Sequence, residues 1–234
     1  MSQHIVTSFD ADLKVLDDLV LKMGKSVLRQ HRDASDLPAF TDVAVARGII
    51  EGDRAIDDMQ QAIEEQAIQV IARRQPMAVD LRTVIATLKI ATDLERVGDL
   101  VKNNAKRMLA SNGQSHLPAG AASLERLNDR VAEQLERTLV AFEQRDDAAA
   151  QEVWNSDVEI DQLQSALFRE LLTYMMEDPR NIGHCTHLLF CARNLERIGD
   201  HATNIAEQVH YIVTGSTMPT DRPKGDDPAS AKAR

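Results

Sequence analysis

Apolar residues recur at spacings of three and four along most of the chain. The recurrence breaks where proline and glycine fall: at Pro38, at Pro76, across Gly113 to Gly120 with Pro118, and at Pro179. This pattern predicts an all-α chain of six long helices, near 7–31, 38–74, 76–111, 121–144, 147–177 and 179–214. Leu13, Leu16, Val20, Met23 and Val27 form the stripe of the first helix, and Ile49, Ile56, Ile63 and Val70 repeat at intervals of seven in the second. Asp146 or Asp147 and Asp178-Pro179 offer N-cap and first-turn chemistry for the fifth and sixth. Beyond 215 the chain holds Pro219, Pro223, Gly225 and Pro228, with Met218 as its one large apolar residue. Residues 216–234 are therefore expected as a disordered tail.

The stripes are written twice. Leu124, Leu127 and Val131 repeat the spacing of the first helix, and Val153, Ile160, Leu167 and Tyr174 repeat that of the second. Asp93 to Ala105 reads DLERVGDLVKNNA and Asn194 to Ala206 reads NLERIGDHATNIA, identical at seven of thirteen positions. Asp53-x-x-x-Asp57 is likewise matched by Asp157-x-x-x-Asp161. An internal duplication follows: two tandem three-helix bundles, 1–115 and 116–215.

Counting from the turns brings the acidic motifs level. Asp57 lies 19 residues before Pro76 and Glu95 lies 19 after it, while Asp53 and Asp99 are each 23 away. From Pro179 the counts are 18 and 17 for Asp161 and Glu196, and 22 and 21 for Asp157 and Asp200. Residues four apart share a helix face, so each antiparallel hairpin gathers four carboxylates. Glu95 continues the seven-residue register of Leu81 and Leu88, as Glu196 continues that of Ile182 and Leu189, and Gly98 and Gly199 allow a neighbouring backbone to approach. Crowded, partly buried carboxylates need protons or cations to compensate them. Oxygen ligands suit hard cations such as Fe(III), Mn, Mg or Ca, with Zn a further option, and Asn103 and Asn204, one turn beyond each Asp, offer amide oxygens. The alternative is that Arg82, Arg96, Arg193 and Arg197 pair with these acids on ordinary helix surfaces.

Composition narrows the function classes. With 27 Lys+Arg against 37 Asp+Glu the formal charge is −10, which disfavours nucleic-acid binding, and 3% aromatic content argues against a sheet protein. The acidic first twenty residues lack the basic start and apolar run of an export signal, so a cytoplasmic location is expected. Cys185 and Cys191 are read as reduced thiols. Gly24-Lys25-Ser26 lacks the leading glycine of a phosphate-binding loop. Glu207-x-x-His210 has the spacing of a ferritin-type ligand pair, but its first-repeat counterparts are Lys106 and Leu109. His184, His187 and Cys191 share a face roughly opposite Glu196. No arrangement of nucleophile and base is readable, so the chain is taken as non-enzymatic, with a ferritin-type oxidase or storage protein as the alternative.

The run from Arg74 to Arg82, RQPMAVDLR, together with Leu94-Glu95-Arg96-Val97-Gly98-Asp99 and its second copy from Leu195 to His201, LERIGDH, resembles the PhoU family, the accessory proteins of the phosphate-specific transport system. The resemblance covers about 5–213. It implies tandem three-helix bundles, a cytoplasmic protein, and multinuclear iron or zinc clusters at Asp53/Asp57, Glu95/Asp99, Asp157/Asp161 and Glu196/Asp200. It further implies a negative regulator of phosphate uptake and of the phosphate-starvation response. As partners it implies the ATPase subunit of the phosphate ABC transporter and a sensor histidine kinase, reached at the membrane only through these proteins; a homodimer is compatible with it. Lys102 and Asn104 depart from the small and apolar residues at Thr203 and Ile205, and a lysine beside the first cluster weighs against metal there.

Overall fold

The computed structural model describes residues 2–35, 43–110 and 120–219. Among them lie six helices and no strand: α1 (Ser2–Ser35), α2 (Val43–Arg74), α3 (Val79–Ala110), α4 (Ala121–Gln144), α5 (Asp147–Glu177) and α6 (Ile182–Thr214). α4 and α5 fall on the expected bounds, and α1 is longer at both ends. The expected start of α2, at 38, lies outside the described residues.

Two starts differ from expectation, each for a local reason. α3 begins at Val79 rather than 76, because Gln75 (φ 49°) and Ala78 (φ 48°) are left-handed and reverse the chain around Pro76, and proline disfavours helix in the residue before it. α6 begins at Ile182 after one 3₁₀ turn, Pro179–Asn181. Asp178 starts that turn, its Oδ1 accepting from the Arg180 amide at 2.9 Å. The anticipated cap of α5 is Asp146, which accepts from the Ala149 amide at 3.1 Å.

α1 packs on α2 and α3, and α4 packs on α5 and α6, so each half is a three-helix bundle. The apolar stripes supply the cores: Leu16, Val20, Met23, Val27, Ile49, Ile56, Ile63 and Val70 are buried in the first, and Leu127, Val131, Val153, Ile160 and Leu167 in the second. The halves are joined along α3 and α6, with a smaller contact of α1 on α4. Met218 folds back onto the core and is buried, although it falls in the stretch expected as tail; residues from 220 onward lie outside the described residues.

Gly98 and Gly199 set the spacing of the two hairpins. A Cβ at Gly98 would stand 3.3 Å from Ile56 Cγ2, and one at Gly199 would stand 2.9 Å from Ile160 Cδ1. Ile56 and Ile160 each precede the second aspartate of their motif, so this close approach carries Asp57 toward Glu95 and Asp161 toward Glu196.

Candidate functional site

The α2–α3 hairpin brings Asp53, Asp57, Glu95 and Asp99 within reach of one another's charge. Burial, then the Asp53 charge, pushes the Asp57 carboxyl above its ordinary range. Burial, then Asp99, does the same to Glu95, with Asp57 contributing and Arg96 opposing.

Lys102 sits inside the first cluster. Its Nζ donates to Asp53 Oδ2 at 2.5 Å and to Asp99 Oδ1 at 2.6 Å, with the lysine side chain 19% exposed. Burial disfavours the ammonium, but the two carboxylates outweigh it and hold the lysine firmly charged. Burial also pushes Asp99 up, and the Lys102 hydrogen bond and charge overcome that and bring it below its usual value. Arg96 adds longer pairs to Glu95 (3.6 Å) and Asp99 (3.7 Å).

The second cluster is wired differently. Thr203 stands where Lys102 does in the first repeat, and its hydroxyl lies 3.1 Å from Asp157 Oδ1 and 3.0 Å from the Gly199 carbonyl. Gln134 Nε2, from α4, donates to Asp157 Oδ1 at 3.3 Å, so this nearly inaccessible carboxylate is held by neutral donors. Glu196 Oε1 accepts from Arg193 Nη1 at 2.8 Å, while Glu196 Oε2 is buried with no hydrogen-bond partner. Burial, then the Asp200 charge, with Asp161 adding and Arg193 opposing, pushes Glu196 up to about 7. A carboxyl so placed holds its proton more firmly than a free one, and its Oε2 is an unused acceptor.

The two clusters differ in what a cation would meet. Among the described residues no three His, Cys, Asp or Glu side chains converge on a point that encloses a metal ion. The carboxylates of each hairpin act on one another's charge without closing a shell. In the first cluster the Lys102 ammonium already takes two of the four, so a cation does not fit while it remains. In the second, the orphaned Glu196 oxygen beside Asp161 and Asp200 is the kind of donor a cation would use. Asn204 Nδ2 reaches Asp93 Oδ1 on α3 at 3.4 Å, and Asn103 lines a groove with Asn194 and Arg197, so both amides stand at the α3–α6 seam.

Several side chains noted in the sequence have settled partners. Glu207 Oε1 accepts from Trp154 Nε1 at 3.1 Å and His210 Nδ1 pairs with Asp147 Oδ1 at 2.5 Å, which ties up both members of the ferritin-like spacing. Gly24 is a packing residue: an added Cβ would collide with Leu139 of α4. Cys185 and Cys191 are buried and free, and burial pushes the Cys191 thiol up to about 12. Of the arginines expected to pair with the acids, Arg96 and Arg193 do, while Arg82 lies over the Tyr211 ring at 5.4 Å. Gln134, the α4 donor to Asp157, was not anticipated. Its one sequence signal is a glutamine three residues after Val131, on a buried face of α4 that also carries Asn128 and Thr138.

The chain is matched by the PhoU domain family over residues 20–108 and again over 124–209. It is 47% identical over 223 residues to the phosphate-specific transport system accessory protein PhoU homolog of Rhizobium meliloti, covering 95% of this chain and 94% of that one. It is 38% identical over 215 residues to the phosphate-specific transport system accessory protein PhoU of Escherichia coli, covering 92% and 89%. Its fold is similar to the crystal structure of PhoU from Pseudomonas aeruginosa, with TM-score 0.85 and 37% identity over 89% of this chain and all of that one. It is also similar to the phosphate transport system regulatory protein PhoU from Streptococcus pneumoniae, with TM-score 0.83 and 32% identity over 90% and 99%.

Proposed function

The chain belongs to the PhoU family, which it matches in both halves, and has an accessory, regulatory role in phosphate transport; from that membership we propose that it is a non-enzymatic adaptor. Its partners in this reading are the ATPase subunit of the phosphate ABC transporter and a sensor histidine kinase. By holding both when phosphate is abundant, it restrains uptake and keeps the starvation response off. A protein without catalytic machinery regulates through differential binding to states of its partners, and that requires exposed, stiff surfaces.

The observation that carries the reading is a duplicated set of exposed apolar side chains on the two hairpins. Ile68 and its counterpart Leu172 are 64% and 39% exposed, and Leu81 and its counterpart Ile182 are 38% and 48% exposed. Met77 and Met176, next to the two turns, are more exposed still. Large apolar residues repeated at matched exposed positions suit protein contact, and methionine adapts to varied partners. A net charge of −10 opposes adhesion to anionic lipid, and no helix among the described residues is long and apolar enough to cross a membrane. In this reading the protein works in the cytoplasm and meets the membrane only through its partners.

Metal enters this reading in the second unit, where Asp157, Asp161, Glu196 and Asp200 would hold iron, zinc or a harder cation such as Mn, Mg or Ca. A bound cation there supplies the positive charge that Lys102 supplies in the first unit. The ferritin-type reading is weakened because Glu207 and His210 are already paired with Trp154 and Asp147. The test is deletion of the chain in a cell grown in abundant phosphate. Phosphate-starvation genes should switch on and the wild-type chain should silence them again. If they stay silent in the deletion strain while the purified protein oxidises ferrous iron over many turnovers, the adaptor reading fails.

A further inference from the structure

Along the seam between α3 and α6 runs an open groove of ≈ 770 Å³, lined by Asn103, Lys106, Arg107 and Ala110 from one helix and His187, Phe190, Arg193, Asn194 and Arg197 from the other. Four permanent cations and a histidine face it and no carboxylate does, on a chain whose net charge is −10. We infer that this groove binds a small anion carrying two or more phosphoryl groups, gripped from one wall by Lys106 and Arg107 and from the other by Arg193 and Arg197.

The duplication supplies an internal control. Shifting each position to its counterpart in the other repeat turns Lys106 into Glu207, Arg107 into Gln208, Arg193 into Thr92 and Asn194 into Asp93; Arg197 alone keeps its charge, as Arg96. Phe190 becomes Lys89, so the counterpart positions across the seam carry two carboxylates against two cations and no net charge, and Asp93 Oδ1 there lies 2.8 Å from His201 Nδ1. The fold does not require a basic groove here. The charge has been placed on one side of a symmetric frame.

The cations are also available. Among the described residues no carboxylate lies within ion-pair distance of Lys106, Arg107 or Arg197, and only Arg193 has a partner, Glu196 at 2.8 Å. Arg107 lies over the Phe190 ring, its Cζ 4.0 Å from the centroid. Stacking of this kind holds a guanidinium flat and leaves its in-plane N–H donors free for a second ligand. Guanidinium forks match phosphoryl oxygens, and the carboxamides of Asn103 and Asn194 add neutral donors. Asn194 Nδ2 donates to Asn104 Oδ1 at 2.7 Å, which fixes one wall of the groove against the other.

Size and charge choose among anions. The groove has the volume of a small-molecule site and far exceeds one orthophosphate ion. Cations on both walls are satisfied together by a chain of phosphoryl groups, whereas one phosphate would leave a wall uncompensated. An acidic protein segment would also need apolar anchorage, and the lining offers only Ala110 and a Phe190 ring already beneath Arg107.

The inference is independent of the adaptor reading. It is tested by calorimetric titration of the full, chelator-treated protein with tripolyphosphate, ATP, orthophosphate and hexaglutamate. Tripolyphosphate and ATP should bind one per chain and much more tightly than orthophosphate. Equal affinity for the two assigns the site to the phosphate chain alone, and tighter ATP adds a base contact on Phe190. R107Q and R197Q should each weaken binding about tenfold, the value of one charge-assisted contact, and K106E should weaken it further. R130Q, whose arginine pairs with Glu133 and Glu159 elsewhere on the surface, serves as the unaffected control. Persistence of binding in an E196A/D200A variant shows that the anion does not ride on a metal. Circular dichroism melting confirms that each variant folds. Absence of saturable one-to-one binding, binding indifferent to R107Q, R197Q and K106E, loss of binding in E196A/D200A, or tighter binding of hexaglutamate than of tripolyphosphate would each overturn the inference.

Discussion

Lys102 and Thr203 occupy the same position of the duplicated motif, and each donates to the first aspartate of its own hairpin. Lys102 Nζ lies 2.5 Å from Asp53 Oδ2, and Thr203 Oγ1 lies 3.1 Å from Asp157 Oδ1. One unit has an ammonium tethered among its carboxylates and the other has a hydroxyl. This single difference sets how each cluster is neutralised.

K102T should convert the first cluster to the wiring of the second. Removing the ammonium strands Asp53 and Asp99, so the metal-free variant should lose about 2 kcal/mol of stability, less than a fully buried pair would cost because the site is partly open. It should also take up additional cation per chain in elemental analysis, with a melting temperature that rises as metal is added. An unchanged metal content and an unchanged melting temperature would remove the assigned role of Lys102.

Glu196 gives the metal-free protein a pH dependence of definite sign. Its folded pKa, about 7, lies above the unfolded value of 4.5, so the stability it contributes is complete below 4.5 and is lost as pH rises through 7. After solvent screening the loss is on the order of 1 kcal/mol. Denaturant melts from pH 5 to 8 should show this decline in the wild type and a flatter profile in E196Q. Saturating metal should cancel the decline, because the cation replaces the proton.

His31 acts with the opposite sign. It is buried against α4, with Nε2 3.4 Å from the Asn128 carbonyl, and burial drives its pKa from 6.5 down to about 4. Its stabilising contribution is present above 6.5 and fades as pH falls toward 4, by about 2 kcal/mol at pH 5. H31Q should remove this acid sensitivity while leaving the Glu196 response intact. The two effects are therefore separable by variant.

The hairpin glycines should differ in tolerance. G199A places a Cβ 2.9 Å from Ile160 and should cost about 1–2 kcal/mol through overpacking, even after the better helix propensity of alanine is counted. G98A meets Ile56 at 3.3 Å and should be close to neutral. Thermal melts decide this, and G199A should also weaken cation uptake by moving Asp161 away from Glu196.

Much of this was legible because helices count evenly. Apolar spacing located all six helices, and equal counts from Pro76 and Pro179 put acids on facing helices at one level. Rotation was harder to read. Steps of four residues at 3.6 per turn drift by about 40° each, so by Asn103 and Asn204 the face has turned from the hairpin to the α3–α6 seam. The register of Leu81, Leu88 and Glu95 reads as core, yet Leu81 is 38% exposed. A three-helix unit buries only a narrow stripe, and this register lies along its margin. Lys102 stood out in the sequence as a departure, but its reach across to Asp53 depends on a side-chain conformation that spacing does not encode.

The polar contacts along the α3–α6 seam bear on self-recognition. Duplicated halves invite mispairing, in which α3 of one molecule docks on α3 of another. In the native seam Asp93 meets His201 and Asn194 meets Asn104. The same docking between two copies of α3 would set Asp93 against Leu100, and between two copies of α6 it would set Asn194 against Ile205. Each false pairing exchanges one native polar partner for an apolar one, while Asp93 keeps an amide in reach, Asn103 standing at the place of Asn204, so the bias is about 1 kcal/mol per pairing. Fragments cut between the halves should therefore reassemble as complementary pairs and not as doubled copies of either half.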